Sequence, residues 1–187
     1  MKHSQPEICA LLNQLFTRFI STHKEKYQCF PKVEYDENWL SLCQQGEVED
    51  NFIQWQPVKC EDALSFSNVE QALDLEIHPE LIAYFTRFYS ESIPAECSEG
   101  YLELLFAWNK DDFERLQQNI IGHILMKQKL KQSLTIFFAV TDEEDMIITV
   151  KNDSGEVWVE RVGCEPHQKL ANSISAFIAT LSISLEP

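Results

Sequence analysis

Glycine is scarce in this chain, with five in 187 residues, all well separated. The backbone therefore offers no obvious nest for a phosphate. No Gly-x-x-x-x-Gly-Lys loop, Gly-x-Ser-x-Gly elbow or His-Glu-x-x-His pair occurs. The six cysteines stand at 9, 29, 43, 60, 97 and 164. None forms a Cys-x-x-Cys pair and none has a histidine at zinc-finger distance, which argues against a zinc site. The five histidines are isolated, so any Cys–His dyad would have to be assembled over long sequence distances. No apolar run approaches the roughly 20 residues that a bilayer span requires, so direct membrane insertion is not expected. The first residues lack an export-signal pattern. A reducing cytoplasm is the expected compartment, with the cysteines acting mostly as small buried hydrophobes. Internal repeats and low-complexity tracts are also missing. No catalytic, cofactor-binding or metal-binding residue is assigned.

Basic residues are nearly absent from one long stretch. Residues 34–103 hold sixteen Asp and Glu against Lys59 and Arg87, and so carry fourteen of the chain's fifteen net negative charges. A field concentrated in this way favours a basic partner and disfavours nucleic acid or an anionic lipid surface. By composition alone, a solvated acidic face that maintains solubility is the simpler reading.

What is present suits one globular domain over residues 1–187. The length fits a single core, and 44% apolar residues, 11% of the chain being aromatic, can fill it. Ser4, Pro6 and Glu7 read as a helix start. Ile8, Leu11, Leu12, Leu15, Phe16 and Phe19 then form one apolar stripe to about residue 24. Residues 52–55 resemble a short strand ended by Pro57, and 39–43 read as a strand or a turn. Asn68 is placed to cap a short helix over 69–75. His78-Pro79 opens another over 79–89, and the polar stretch 90–100 reads as a loop. Residues 101–108 favour a strand. Asn109 caps a long helix over 111–130, with Asp111 and Asp112 at the positive end of its dipole. Gly122 inside that helix costs about 1 kcal/mol relative to Ala, a cost that close approach of another element would explain. His123 reads as a hydrogen-bonded histidine at the core edge rather than a general base. Strands at 134–140, 146–150 and 156–161 with short connections imply an antiparallel meander. A final helix is expected over 167–181. The fold class is α+β: a largely antiparallel mixed sheet packed with helices.

The segment Trp108-Asn-Lys-Asp-Asp-Phe-Glu-Arg-Leu-Gln-Gln-Asn-Ile-Ile-Gly-His123 resembles the bacterial Syd family of SecY-interacting proteins. The resemblance extends through Leu134-Thr-Ile-Phe-Phe-Ala-Val140, Asn152-Asp-Ser-Gly-Glu-Val157, Asn68-Val-Glu-Gln-Ala-Leu-Asp74 and Trp55-Gln-Pro57. It spans nearly the whole chain, from about residue 6 to 181, and that family is similar to the broader SUKH class of interaction domains. It implies a non-enzymatic adaptor without a cofactor. Such an adaptor binds the basic cytoplasmic loops of the SecY translocon subunit through an acidic concave surface and monitors translocon assembly. It would sit peripherally on the cytoplasmic face of the inner membrane, recruited through SecY. Candidates for the acidic groove are Glu61, Asp62, Glu70, Asp74, Glu76, Asp111 and Asp112. Glu70 and Asp74 are four apart and share a helix face, where either partner contact or plain solvation accounts for them. For Asp111 and Asp112, dipole compensation is already a sufficient structural role, and Lys110 stands where the family pattern would place a further acid. The alternative is a SUKH-type immunity or general interaction domain with a soluble partner. An acidic mimic of nucleic acid comes third and an enzyme last.

Overall fold

The computed structural model describes residues 5–186. Helix α1 (Gln5–Tyr27) buries Ile8, Leu12, Leu15, Phe16 and Phe19 along one stripe. The cap assigned to Ser4 lies outside the described residues. A small antiparallel sheet follows, built from β1 (Lys32–Glu34), β2 (Gln44–Glu49) and β3 (Phe52–Trp55) in the order β1-β3-β2. Residues 39–43 are turn and bend, not strand. Strand β4 (Val58–Lys59) later pairs with β5 (Phe88–Tyr89).

Helix α2 (Ser67–Leu73) starts one residue before Asn68, and its cap position, Phe66, makes no side-chain capping bond. Asn68 instead exchanges hydrogen bonds with Gln117. Helix α3 (Pro79–Thr86) begins as expected at His78-Pro79, with the His78 ring accepting from the Glu80 N–H. It is shorter than its apolar pattern suggests, because Phe88 and Tyr89 leave the helix to form β5.

The main sheet has seven strands. They are β6 (Ile93–Cys97), β7 (Gly100–Leu104), β8 (Thr135–Thr141), β9 (Met146–Lys151), β10 (Val157–Arg161), β11 (Gln168–Ala171) and β12 (Ser182–Ile183). Their order is β11-β10-β9-β8-β7-β6-β12, and every pairing is antiparallel. Thus the stretch 90–100, read from its polarity as a loop, contains strand β6. Its alternation is real: Ile93 and Ala95 are fully buried.

Helix α4 (Lys110–Leu130) separates β7 from β8, and a five-residue helix, α5 (Ile174–Ile178), separates β11 from β12. The sheet's two faces are covered differently. Leu102, Leu104, Ile136, Phe138, Ile148 and Val150 line one face, where Tyr84 of α3 and Phe177 of α5 meet the Phe138 ring. Helix α1 packs on α3 and α5. Thr135, Phe137, Thr149 and Glu160 point to the other face, where His123 and Lys127 of α4 lie against them.

The expected final helix over 167–181 is replaced by β11 and the short helix α5, and β12 follows it. The start of α5 is set by two caps. Ser173 accepts from the Ala176 N–H at 3.0 Å, and the buried Glu80 carboxylate accepts from the N–H groups of Ile174 and Ser175 at 2.9 Å each. A carboxylate at a helix N-terminus satisfies donors that would otherwise be orphaned. Residues 168–171 then pair with β10 instead of extending the helix. Gly122 has open space around it: a Cβ there would meet nothing within 4 Å, so no element among the described residues approaches it closely.

Candidate interaction surface

The structure sorts the acidic candidates by what their carboxylates already do. Glu70 accepts the Ile77 N–H at 2.9 Å and so closes the connection between α2 and α3. Asp74 is the left-handed C-cap of α2, with φ of 51°, and its side chain is exposed. Glu76 is exposed, while its carbonyl accepts from the Asn152 side chain at 2.7 Å. Asn152 Oδ1 in turn accepts the His78 N–H at 2.9 Å. The turn after β9 is thus clamped to the α2–α3 connection, which brings the motifs at 68–74 and 152–157 together. Gly155 completes that clamp, because a Cβ there would stand 2.6 Å from His78 Nε2.

Asp62 accepts from the Tyr89 hydroxyl at 2.8 Å, and Glu61 beside it is exposed. At the start of α4, Asn109 Oδ1 accepts the Asp112 N–H at 2.8 Å, and Asp112 Oδ2 accepts the Trp108 N–H at 2.9 Å. This is a reciprocal cap of the kind that satisfies two donors at once. Asp111 remains exposed in the first turn. Glu61, Asp74, Glu76 and Asp111 are therefore the candidates whose side chains face water, whereas Asp62, Glu70 and Asp112 also hold local structure.

A second acidic grouping was not singled out in the sequence. Half-buried Glu91 has its carboxyl pushed above the usual carboxylate range, chiefly by burial and further by the nearby Asp112 and Glu103 carboxylates. Glu103 lies on β7 two residues after Tyr101, and the Tyr101 hydroxyl donates to it at 3.1 Å. Burial and the neighbouring Glu103 and Asp142 raise the Tyr101 phenol to about 12. These acids come from β6's approach, β7, the β8–β9 turn and α4. The tertiary fold joins them, so spacing along the chain carries no signal for the group.

Nucleophilic and metal chemistry find little support in the geometry. Burial pushes the Cys43 thiol to about 11, which leaves it protonated and unreactive near neutral pH. His123 is pushed down to about 4, mainly by burial and next by Lys127; its Nε2 lies 3.1 Å from the Thr135 hydroxyl. No group of three or more His, Cys, Asp or Glu among the described residues could hold a metal ion. No helix among them is long and apolar enough to cross a membrane.

The matching of residues 9–182 to the family model for Syd protein (SUKH-2) decides the family. The chain belongs to the Syd family. Its relatives include Protein Syd of Colwellia psychrerythraea, 57% identical over 169 residues that cover 86% of this chain and 84% of the relative. Protein Syd of Alteromonas mediterranea is 49% identical over 152 residues, 81% of this chain and 84% of its own. Protein Syd of Shewanella frigidimarina is 40% identical over 179 residues, 94% of this chain and 82% of its own. The Syd family match runs from the buried stripe of α1 to β12 and so encloses the whole acidic block.

Proposed function

We propose that this protein is a non-enzymatic adaptor that binds the basic cytoplasmic loops of SecY through its acidic surface and monitors translocon assembly. The observation that carries the reading is membership of the Syd family along almost the whole chain. The concentrated charge supports it physically. Cytoplasmic loops of membrane proteins are enriched in Lys and Arg, and an acidic surface raises the encounter rate with them and selects orientation. The Asp112 and Glu103 carboxylates stand close enough to Glu91 to raise its proton affinity, a repulsion that a bound cation relieves. Glu61, Asp74, Glu76 and Asp111 supply further carboxylates free to meet such a partner. The same charge opposes adsorption to the anionic inner leaflet, so recruitment to the membrane goes through SecY, from the cytoplasmic side.

Inner-membrane vesicles with and without SecY test this in rising salt. Binding should require SecY and weaken markedly as screening shortens the range of the charges. Equal binding to SecY-free vesicles, or binding indifferent to salt, refutes the proposal. Recovery of a stoichiometric soluble partner in place of SecY would favour an immunity-type or general interaction role.

A further inference from the structure

Between Lys32 and Lys59 the chain holds six carboxylates and no Lys, Arg or His. The same stretch contains Leu40, Leu42, Val48 and Phe52, which are four of the eight large apolar side chains that stand exposed among the described residues. Scattered exposed leucines are ordinary in a folded protein, but concentration in one segment is not. On the small sheet, Ile53 and Trp55 take the buried side of β3, and Phe52 takes the outer side. Its direct cross-strand partners there are Glu34 on β1 and Glu49 on β2.

The turn at 39–43 is held by polar bonds, not by its leucines. Ser41 Oγ donates to the Trp108 carbonyl at 2.5 Å, and Asn109 Nδ2 donates to the Leu40 carbonyl at 2.9 Å. Trp108 Nε1 donates to the Trp39 carbonyl at 3.1 Å, and the Cys43 N–H donates to Ser41 Oγ at 3.1 Å. This network turns Ser41 inward and leaves Leu40 at 55% and Leu42 at 72% exposure. It also ties the leucines to the N-terminus of α4, where Asp111 and Asp112 lie. A loop anchored in this way loses little conformational freedom when it binds.

We infer that Leu40 and Leu42 are apolar anchors in a docking surface for an amphipathic segment of a partner protein, one that sets apolar side chains among Lys and Arg. Charge decides against the other occupants. A second copy of this chain would set six carboxylates, of which Glu49 is paired with Lys32, against six more across a two-fold axis, and an anionic bilayer would repel them likewise. The inference rests on the reading of a basic partner and adds that salt-independent apolar contact supplies much of the affinity.

The test compares the full chain with Leu40→Ser/Leu42→Ser and with Glu37→Gln/Glu47→Gln, on vesicles with and without SecY across a salt series. Both pairs are exposed, so thermal unfolding should match wild type and remove misfolding as an explanation. The leucine variant should bind at least about tenfold more weakly with an unchanged salt dependence, and the glutamine variant should show a shallower salt dependence. Wild-type affinity in the leucine variant, while wild type still binds SecY vesicles in a salt-dependent way, overturns this inference and leaves the adaptor reading standing. If wild type binds no SecY vesicles at any salt, both fall. A wild-type dimer in sedimentation that the leucine substitutions dissociate would show that a second copy covers the surface, which also overturns it.

Discussion

Replacing Lys127 by Met would test how α4 is held to the sheet. The Lys127 ammonium lies 3.4 and 3.5 Å from the two Glu160 oxygens and donates to the Cys164 carbonyl at 2.7 Å. Neither side chain of this ion pair has any solvent exposure. Removing one partner of a buried pair typically costs about 3–5 kcal/mol, because the other charge is left uncompensated. Here the lower end of that range is expected, about 3 kcal/mol. Thr149 still donates to Glu160 at 3.1 Å, and the His123 ring stays beside it with Nε2 at 3.6 Å, so part of the polar surroundings of the carboxylate survives. Urea unfolding at pH 7 should read this loss, and the melting temperature should fall by roughly 6–12 °C. A double variant, Lys127→Met with Glu160→Leu, should recover more than half of it. The pH dependence has a definite sign. Burial raises the Glu160 carboxyl above its ordinary range, against the opposing effects of Thr135, Lys127 and Thr149. The folded state therefore binds that proton more tightly than the unfolded state. Its stabilising effect is complete below the unfolded value of about 4.3 and is lost as pH rises through the folded value. Without Lys127 the folded value climbs further, so the defect should shrink towards pH 4–5 and be largest at neutral pH and above. A loss below about 1 kcal/mol, a defect flat in pH, or a double variant as weak as the single one would refute this account.

Gly122→Ala should raise stability by about 1 kcal/mol, read as a gain of roughly 2–4 °C in melting temperature, since the position is open and helical. A loss would mean that the glycine serves the helix in a way its surroundings do not show. Gly155→Ala should cost about 2–3 kcal/mol in urea unfolding, because φ is +76° and the new Cβ would strike the His78 ring. Adding His78→Ala should return part of that cost, and strict additivity of the two would disprove the clash. Glu91→Gln should stabilise the protein at neutral pH and have no effect below about pH 4. Burial and then Asp112 and Glu103 raise the Glu91 carboxyl, so its charged form is the disfavoured one when folded. The same substitution should weaken binding to SecY vesicles; tighter or unchanged binding would separate this cluster from the docking surface.

Local chemistry made much of the fold legible in the sequence. The stripe of α1, the cap and charge pattern of α4, and the β8–β9–β10 meander depend on residues close in the chain, where periodicity and turn chemistry act directly. The family was legible too, because its motifs lie along the chain from Trp55 to Val157. The acidic block was visible as an excess of charge between residues 34 and 103. Tertiary structure decided the rest. The start of α5 is set by Ser173 together with Glu80, which lies 94 residues away along the chain, so helical periodicity alone overextends that element into 168–171. Strand β6 hides in a polar stretch because its identity comes from pairing with β7 and β12. Tertiary bonding also divides the acids. Glu70 and Asp112 are committed to backbone donors, Glu91 is brought near both Asp112 and Glu103, and Leu40 and Leu42 are held in water by Trp108 and Asn109. The amount of charge follows from composition; where it gathers, and which carboxylates stay free for a partner, depends on hydrogen bonds between residues distant in sequence.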